Sequence, residues 1–187
     1  MYAVGVSGNP RKNGNTSILV NEVLRFIDGE KRLISLADLD IHPCRDCGGC
    51  YEEDTGCVID DDIPWVIREL EKCDVILLGS PCYFKSVSAQ LKMLIDRTVS
   101  VYEMEPFRNK IGAAVVTQDV YGKGRGGELV LRTLIDFFNS EGMIYAGGVI
   151  GEGGAEMGNV RKDKRAMKEA KKVAKRINEL YGKMNGR

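Results

Sequence analysis

The sequence predicts an α/β fold, a three-layer sandwich with helices on both faces of a five-stranded parallel sheet. Apolar runs of five to eight residues alternate with amphipathic stretches of helical length, which is the pattern of repeated βαβ units. The run Val75-Ile76-Leu77-Leu78 is apolar on both faces, as a central parallel strand covered from each side must be. At 187 residues the chain can bury a core without disulfides or a structural metal, and residues 1–187 read as a single domain.

Taken in order, the strands are expected at Ala3 to Ser7, Arg32 to Leu36, Asp74 to Ser80, Ile111 to Thr117 and Ile144 to Ile150. The helices are expected at Thr16 to Ile27, Ile63 to Glu71, Ser86 to Val101, Glu128 to Ser140 and Asp163 to Tyr181. In the last of these, Ala166, Ala170, Val173, Ala174, Ile177 and Tyr181 share one stripe, and Lys and Arg crowd the opposite face. With 27 basic and 27 acidic residues in the chain, that basic face is read as solvated and not as a nucleic-acid surface. No apolar run approaches the roughly 20 residues of a membrane helix, and the first residues form no signal-like segment. The expected location is the cytoplasm, where the six cysteines are reduced, catalytic or metal-bound more often than paired.

Open parallel sheets bind ligands outside the carboxyl ends of their strands, so the loops after the first, third and fourth strands carry the functional reading. After the first comes Ser7-Gly8-Asn9-Pro10-Arg11-Lys12-Asn13-Gly14-Asn15-Thr16-Ser17, small and hydrogen-bonding, opening onto a helix. Backbone N–H groups converging at a helix N-terminus attract a phosphate. No Gly-Lys-Ser/Thr follows, so this is not a triphosphate-hydrolysing loop. The bland reading is a strand-to-helix turn capped by Asn15 or Thr16. The third strand ends in Ser80-Pro81-Cys82-Tyr83-Phe84, whose rings offer a flat heterocycle a resting face. The fourth ends in Thr117-Gln118-Asp119-Val120-Tyr121-Gly122, followed by further glycines.

The stretch Asp38 to Asp62 is a long non-periodic insertion that holds four of the six cysteines. Cys44, Cys47, Cys50 and Cys57 spell C-x2-C-x2-C-x6-C, with Gly48, Gly49 and Gly56 at the bends. Such spacing can wrap thiolates around the corners of a four-iron cluster. A zinc site, or reduced or disulfide-paired cysteines, are the alternatives. Glu52, Glu53 and Asp54 lie between the ligands and Asp60, Asp61 and Asp62 just beyond. These charges would lower a cluster's potential, or the last three simply cap the next helix. His42 is read as a surface residue or a neighbour of the cluster, Cys73 as core, and Cys82 as a contact to the strand-end heterocycle or a space-filler.

Ser7 to Ser17, with Gly79 to Phe84 and Gln90-Leu91-Lys92-Met93-Leu94-Ile95-Asp96-Arg97, resembles the NADPH-dependent FMN reductase family of the flavodoxin-like fold. That resemblance implies FMN, its phosphate held by Ser7, Arg11, Asn15, Thr16 and Ser17. It implies an isoalloxazine flanked by Pro81, Cys82, Tyr83 and Phe84 and approached by Thr117, Tyr121 and Gly122. The cysteine motif resembles that of the iron-sulfur flavoproteins within the family, which implies a 4Fe-4S cluster on Cys44, Cys47, Cys50 and Cys57. It also implies a ferredoxin-like electron donor and a homo-oligomer, dimer or tetramer, with one subunit's cluster near another's FMN.

With both cofactors the chain reads as an electron-transfer flavoprotein, since FMN exchanges electron pairs and a cluster passes electrons singly. The rival is an NAD(P)H-dependent reductase of FMN, quinones or nitro compounds with a structural or zinc-bound cysteine loop. A third class is a flavin-binding scaffold that acts by protein contact. No hydrolytic or transfer constellation is evident, and the single histidine argues against triad chemistry.

Overall fold

The computed structural model describes residues 1–52, 56–119, 125–154 and 156–186. Five parallel strands form one sheet: β1 (Tyr2–Ser7), β2 (Glu30–Ser35), β3 (Val75–Pro81), β4 (Ile111–Gln118) and β5 (Ile144–Glu152). Their spatial order is β2-β1-β3-β4-β5, the doubly wound order of the flavodoxin-like fold. The chain reverses direction across the sheet at β1 and β3, and the register Ser7 opposite Gly79 aligns the ends of those two strands.

Six helices accompany the sheet: α1 (Asn15–Arg25), α2 (Gly49–Glu52), α3 (Ile63–Lys72), α4 (Ala89–Arg97), α5 (Gly127–Ser140) and α6 (Lys164–Met184). Strand alternation splits the core into two. Val4, Val6, Ile76, Leu78, Ala114 and Val116 meet the buried stripes of α3, α4 and α5. Ala3, Val75, Leu77, Ala113 and Val115 meet those of α1 and α6 on the opposite face. All seven residues of β3 are buried, as its two-sided apolar run requires. The expected stripe of α6 is buried from Ala166 to Ile177, with Tyr181 packed at its margin. Among the described residues no helix is long and apolar enough to cross a membrane.

Several boundaries differ from expectation for local reasons. The helix expected from Ser86 starts at Ala89, because Ser88 is its N-cap: the Ser88 hydroxyl accepts the Leu91 N–H. That helix ends at Arg97, and a tighter 3-10 segment, Thr98–Met104, takes over. At α1 the cap is Gly14, with no side-chain bond, so neither Asn15 nor Thr16 caps the helix. Their side chains are used elsewhere.

Candidate functional site

The carboxyl ends of β1, β3 and β4 converge on one cleft. The loop after β1 is held before any ligand arrives. Gly8 N–H donates to the Gly79 carbonyl (2.8 Å), and the Ser88 hydroxyl donates to the Gly8 carbonyl (2.6 Å). A Cβ on Gly8 would stand 2.6 Å from Leu91 Cβ and 2.8 Å from Ser88 Oγ, so only glycine lets the loop lie this close to α4.

The expected phosphate residues are gathered here, with their side chains largely engaged with the protein itself. The Ser7 and Ser17 hydroxyls are 2.8 Å apart and both residues are buried. Thr16, fully buried, shares a 2.7 Å bond with the Thr117 hydroxyl and accepts one from Asn9 Nδ2. Asn15 spends its amide on the far side of the cleft. Its Nδ2 donates to the carbonyls of Gly153, Gly154 and Glu156, and its Oδ1 accepts from Gly158 and Val160. What such an arrangement offers an anion is the first turn of α1, whose leading N–H groups have no partner within the helix, beside the guanidinium-bearing Arg11.

The cleft has a volume of about 360 Å3 and is lined by Arg11 and Asn15 on one side. Pro81, Cys82, Tyr83 and Phe84 form another wall, and Thr117, Gln118, Asp119 and Gly154 a third. Cys82 N–H donates to the Thr117 carbonyl (2.7 Å), which stitches the last two walls together. Burial pushes the Cys82 thiol above its ordinary pKa, leaving a neutral, apolar sulfur at the wall. Tyr83 and Ser86 exchange backbone bonds across a two-residue turn that holds Phe84 and Lys85 at φ of 49° and 65°. Phe84 is left 91% exposed over the cleft mouth. Tyr121 and Gly122 lie outside the described residues. Asn9, Ser88, Gln118 and Asp119 complete the site without having been singled out. Asn9 and Gln118 were visible within polar strand-end stretches, whereas nothing about Ser88 in the sequence marked it.

The cysteine loop is a separate neighbourhood, contributing none of the described residues that line the cleft. Cys44 and Cys47 are exposed, Cys50 and Cys57 half-buried. The Cys50 thiol is pushed up first by burial, and also by the neighbouring sulfurs of Cys57, Cys47 and Cys44. Yet among the described residues no three Cys, His, Asp or Glu side chains converge as ligands of one metal ion. Gly48 and Gly56 adopt φ of +74° and +85°, the bends expected of them, while Gly49 instead opens the single turn of α2.

Both ends of this loop are tied down at its base. Asp62 Oδ2 accepts from Asp40 N–H, and Asp62 N–H donates to the Asp40 carbonyl. Asp61 accepts from the N–H groups of His42 (2.8 Å) and Ile63 (3.0 Å). Its side chain is fully buried against Arg97 of α4, which donates through Nη1 at 2.8 Å and Nη2 at 3.1 Å. Burial alone would raise the Asp61 pKa, but Arg97 and the two backbone donors outweigh it and hold the carboxyl below its ordinary range. Asp61 and Asp62 are therefore backbone ties at the base of the loop. Glu53 and Asp54 lie outside the described residues. The His42 ring is half exposed, 3.6 Å from Asp61, and its backbone makes the tie. Cys73 is core, its thiol pushed up to about 12 by burial.

The sequence pattern described as NADPH-dependent FMN reductase matches residues 1–155. An iron-sulfur flavoprotein of Methanocaldococcus jannaschii is 38% identical, over 96% of this chain and 97% of its own. One from Methanosarcina thermophila is 31% identical, over 95% and 93%. Among solved structures, the Trp repressor binding protein from Bacillus subtilis shares the fold at a TM-score of 0.71 and 21% identity, covering 92% of this chain and 98% of that one.

Proposed function

The chain belongs to the NADPH-dependent FMN reductase family, and from that premise we propose that it is an FMN-dependent oxidoreductase that passes electrons between its flavin and a 4Fe-4S cluster. FMN supplies the redox chemistry of the cleft when bound, and the residues around it position and shield it. The phosphate is assigned to the α1 N-terminus and Arg11, within the frame set by Ser7, Asn15, Thr16 and Ser17. Pro81, Cys82, Tyr83 and Phe84 would flank the isoalloxazine, and Thr117 with Tyr121 and Gly122 would border its other edge. Cys44, Cys47, Cys50 and Cys57 are assigned as cluster ligands, and the supporting observation is their C-x2-C-x2-C-x6-C spacing in a chain 38% identical to an iron-sulfur flavoprotein. A ferredoxin-like one-electron donor suits such a centre. A homo-oligomer is favoured because the described lining of the cleft includes no residue of the cysteine loop, so electrons must cross between two separated sites.

The test is anaerobic purification followed by iron, sulfide and flavin analysis of the wild type and of Cys47→Ala. The wild type is expected to hold iron, sulfide and FMN together. Cys47→Ala is expected to lose the cluster and its broad absorption near roughly 400 nm while keeping FMN. Zinc in place of iron, or iron content unchanged in the variant, would reject the ligand set. The second reading, an NAD(P)H reductase with a structural loop, then remains.

A further inference from the structure

Arg97 is a cation at the C-terminal end of α4, only 1% exposed, in a molecule where the other described arginines and lysines reach solvent. A buried guanidinium costs desolvation and persists only when its donors are used. Three of its contacts are clear. Nη1 donates to Asp61 Oδ2 and to the His42 carbonyl (3.0 Å), and Nη2 donates to Asp61 Oδ1, which spans both ends of the cysteine loop. Cys57, at the far end of the same loop, favours the charged form of the guanidinium. Nε is the donor left over: it is buried and has no acceptor of full hydrogen-bond geometry among the described residues.

An orphaned N–H of a buried cation is rare enough to need a reason, and an uncharged thiol is a weak acceptor. A metal-bound thiolate is a strong one. We propose that Arg97 is the positioning residue of the cluster loop, anchoring its two ends through Asp61 and His42 and presenting a spare N–H to the Cys57 sulfur once that sulfur ligates iron. This rests on the cluster reading above and adds a consequence to it. One-electron reduction of a cluster adds one negative charge, which a hydrogen bond to a ligand sulfur stabilises, so this donor raises the reduction potential. The acidic residues of the loop were expected to do the reverse. Asp61, the one of them most deeply buried, is neutralised by the same arginine.

Two variants test the proposal. Arg97→Lys keeps a cation and removes the fork. Arg97→Gln combined with Asp61→Asn removes the pair without stranding a buried charge. Two measurements are made on each, with retained FMN as the check on folding. In potentiometric titration followed by electron paramagnetic resonance, the double variant is expected to show at least a tenfold lower reduced-to-oxidised ratio of the cluster at a given potential. That is a downward shift of about 59 mV for a one-electron couple. In hydrogen exchange on cluster-free protein, the amides of Asp40, His42 and Ile63 are expected to exchange at least tenfold faster in both variants.

An unchanged potential in a variant that retains its iron would overturn the donor role. Unchanged exchange at those three amides would overturn the anchoring role, whether or not a cluster is present. Wild-type protein without iron would instead overturn the cluster reading and the donor role with it, while the exchange result would still decide the anchor.

Discussion

The strand-end cleft and the cysteine loop are both built from connections, but they are ordered by different means. The cleft is held by buried bonds among its own residues: Ser7 to Ser17, Thr16 to Thr117, Asn9 to Thr16, and five bonds through the Asn15 amide. Among its described residues the cysteine loop has few internal ties, such as Tyr51 N–H to the Gly48 carbonyl and Asp46 N–H to Cys44 Sγ at 3.5 Å. It is firm only at its base, where Asp61, Asp62 and Arg97 close it. The entropy of ordering the cleft is therefore offset during folding. On the proposed cluster reading, ligand bonds would serve the cysteine loop for the same purpose. A flavin would enter a formed site, whereas the proposed cluster would help to form its own.

The largest expected break in that contrast comes from the base of the loop. Asp61→Asn strands the Arg97 charge in a buried site and is expected to destabilise the protein by about 3–5 kcal/mol, read from urea denaturation. The pH dependence has a definite sign. Because the folded Asp61 pKa lies below its unfolded value, the stabilisation is complete above the ordinary aspartate value of about 3.9. It is lost as pH falls through the lower folded value. The gap in stability between wild type and Asp61→Asn should therefore be level at neutral pH and narrow only in acid. A gap that narrowed between pH 6 and 8 would assign the anchor to another group.

Gly8→Ala attacks the other region. The added methyl meets Leu91 and Ser88 at the distances of a hard clash, so the loop must move off α4. The expected loss of stability is about 1–3 kcal/mol, accompanied by weaker FMN binding in equilibrium dialysis and by unchanged iron content. Loss of iron along with FMN would show that the two regions are coupled through α4, whose N-cap Ser88 touches the cleft loop and whose final residue Arg97 holds the cysteine loop.

How much of this could be read in the sequence follows the same division. The strands of the sheet and the location of the cleft follow from apolar alternation and strand-end rules, which act over short stretches of chain, whereas the strand order is a matter of contacts between distant segments. The cysteine motif was legible for the same reason, its spacing being local. The roles of Asn15 and Asp61 were not. Asn15 bonds across 138 to 145 positions of chain and Asp61 pairs with Arg97 across 36, so no local pattern announces either bond. Arg97 lies in a family-like segment, but only its burial against Asp61 gives it a task.

The smallest expected effect separates stability from binding at one residue of the cleft. Phe84 and Lys85 occupy successive left-handed positions in the two-residue turn between Tyr83 and Ser86. Such turns favour Asn-Gly, and each non-glycine residue held there costs about 1–2 kcal/mol. With 91% of its surface exposed, Phe84 recovers almost none of that by burial in this chain. Its ring stands at the cleft mouth, where a flat ligand would cover it. Phe84→Gly should relieve the strain and lose part of the gain to a more flexible unfolded chain, for a net stabilisation of about 0.5–1 kcal/mol in thermal unfolding without flavin. FMN should then bind roughly three- to tenfold more weakly, the loss of one aromatic contact of about 0.5–1.5 kcal/mol. Stability and affinity moving in opposite directions would mark the turn as strain retained for the ligand. If both fell together, Phe84 would be a packing residue of the protein itself, and the cleft would be less complete without its flavin than its hydrogen bonds imply.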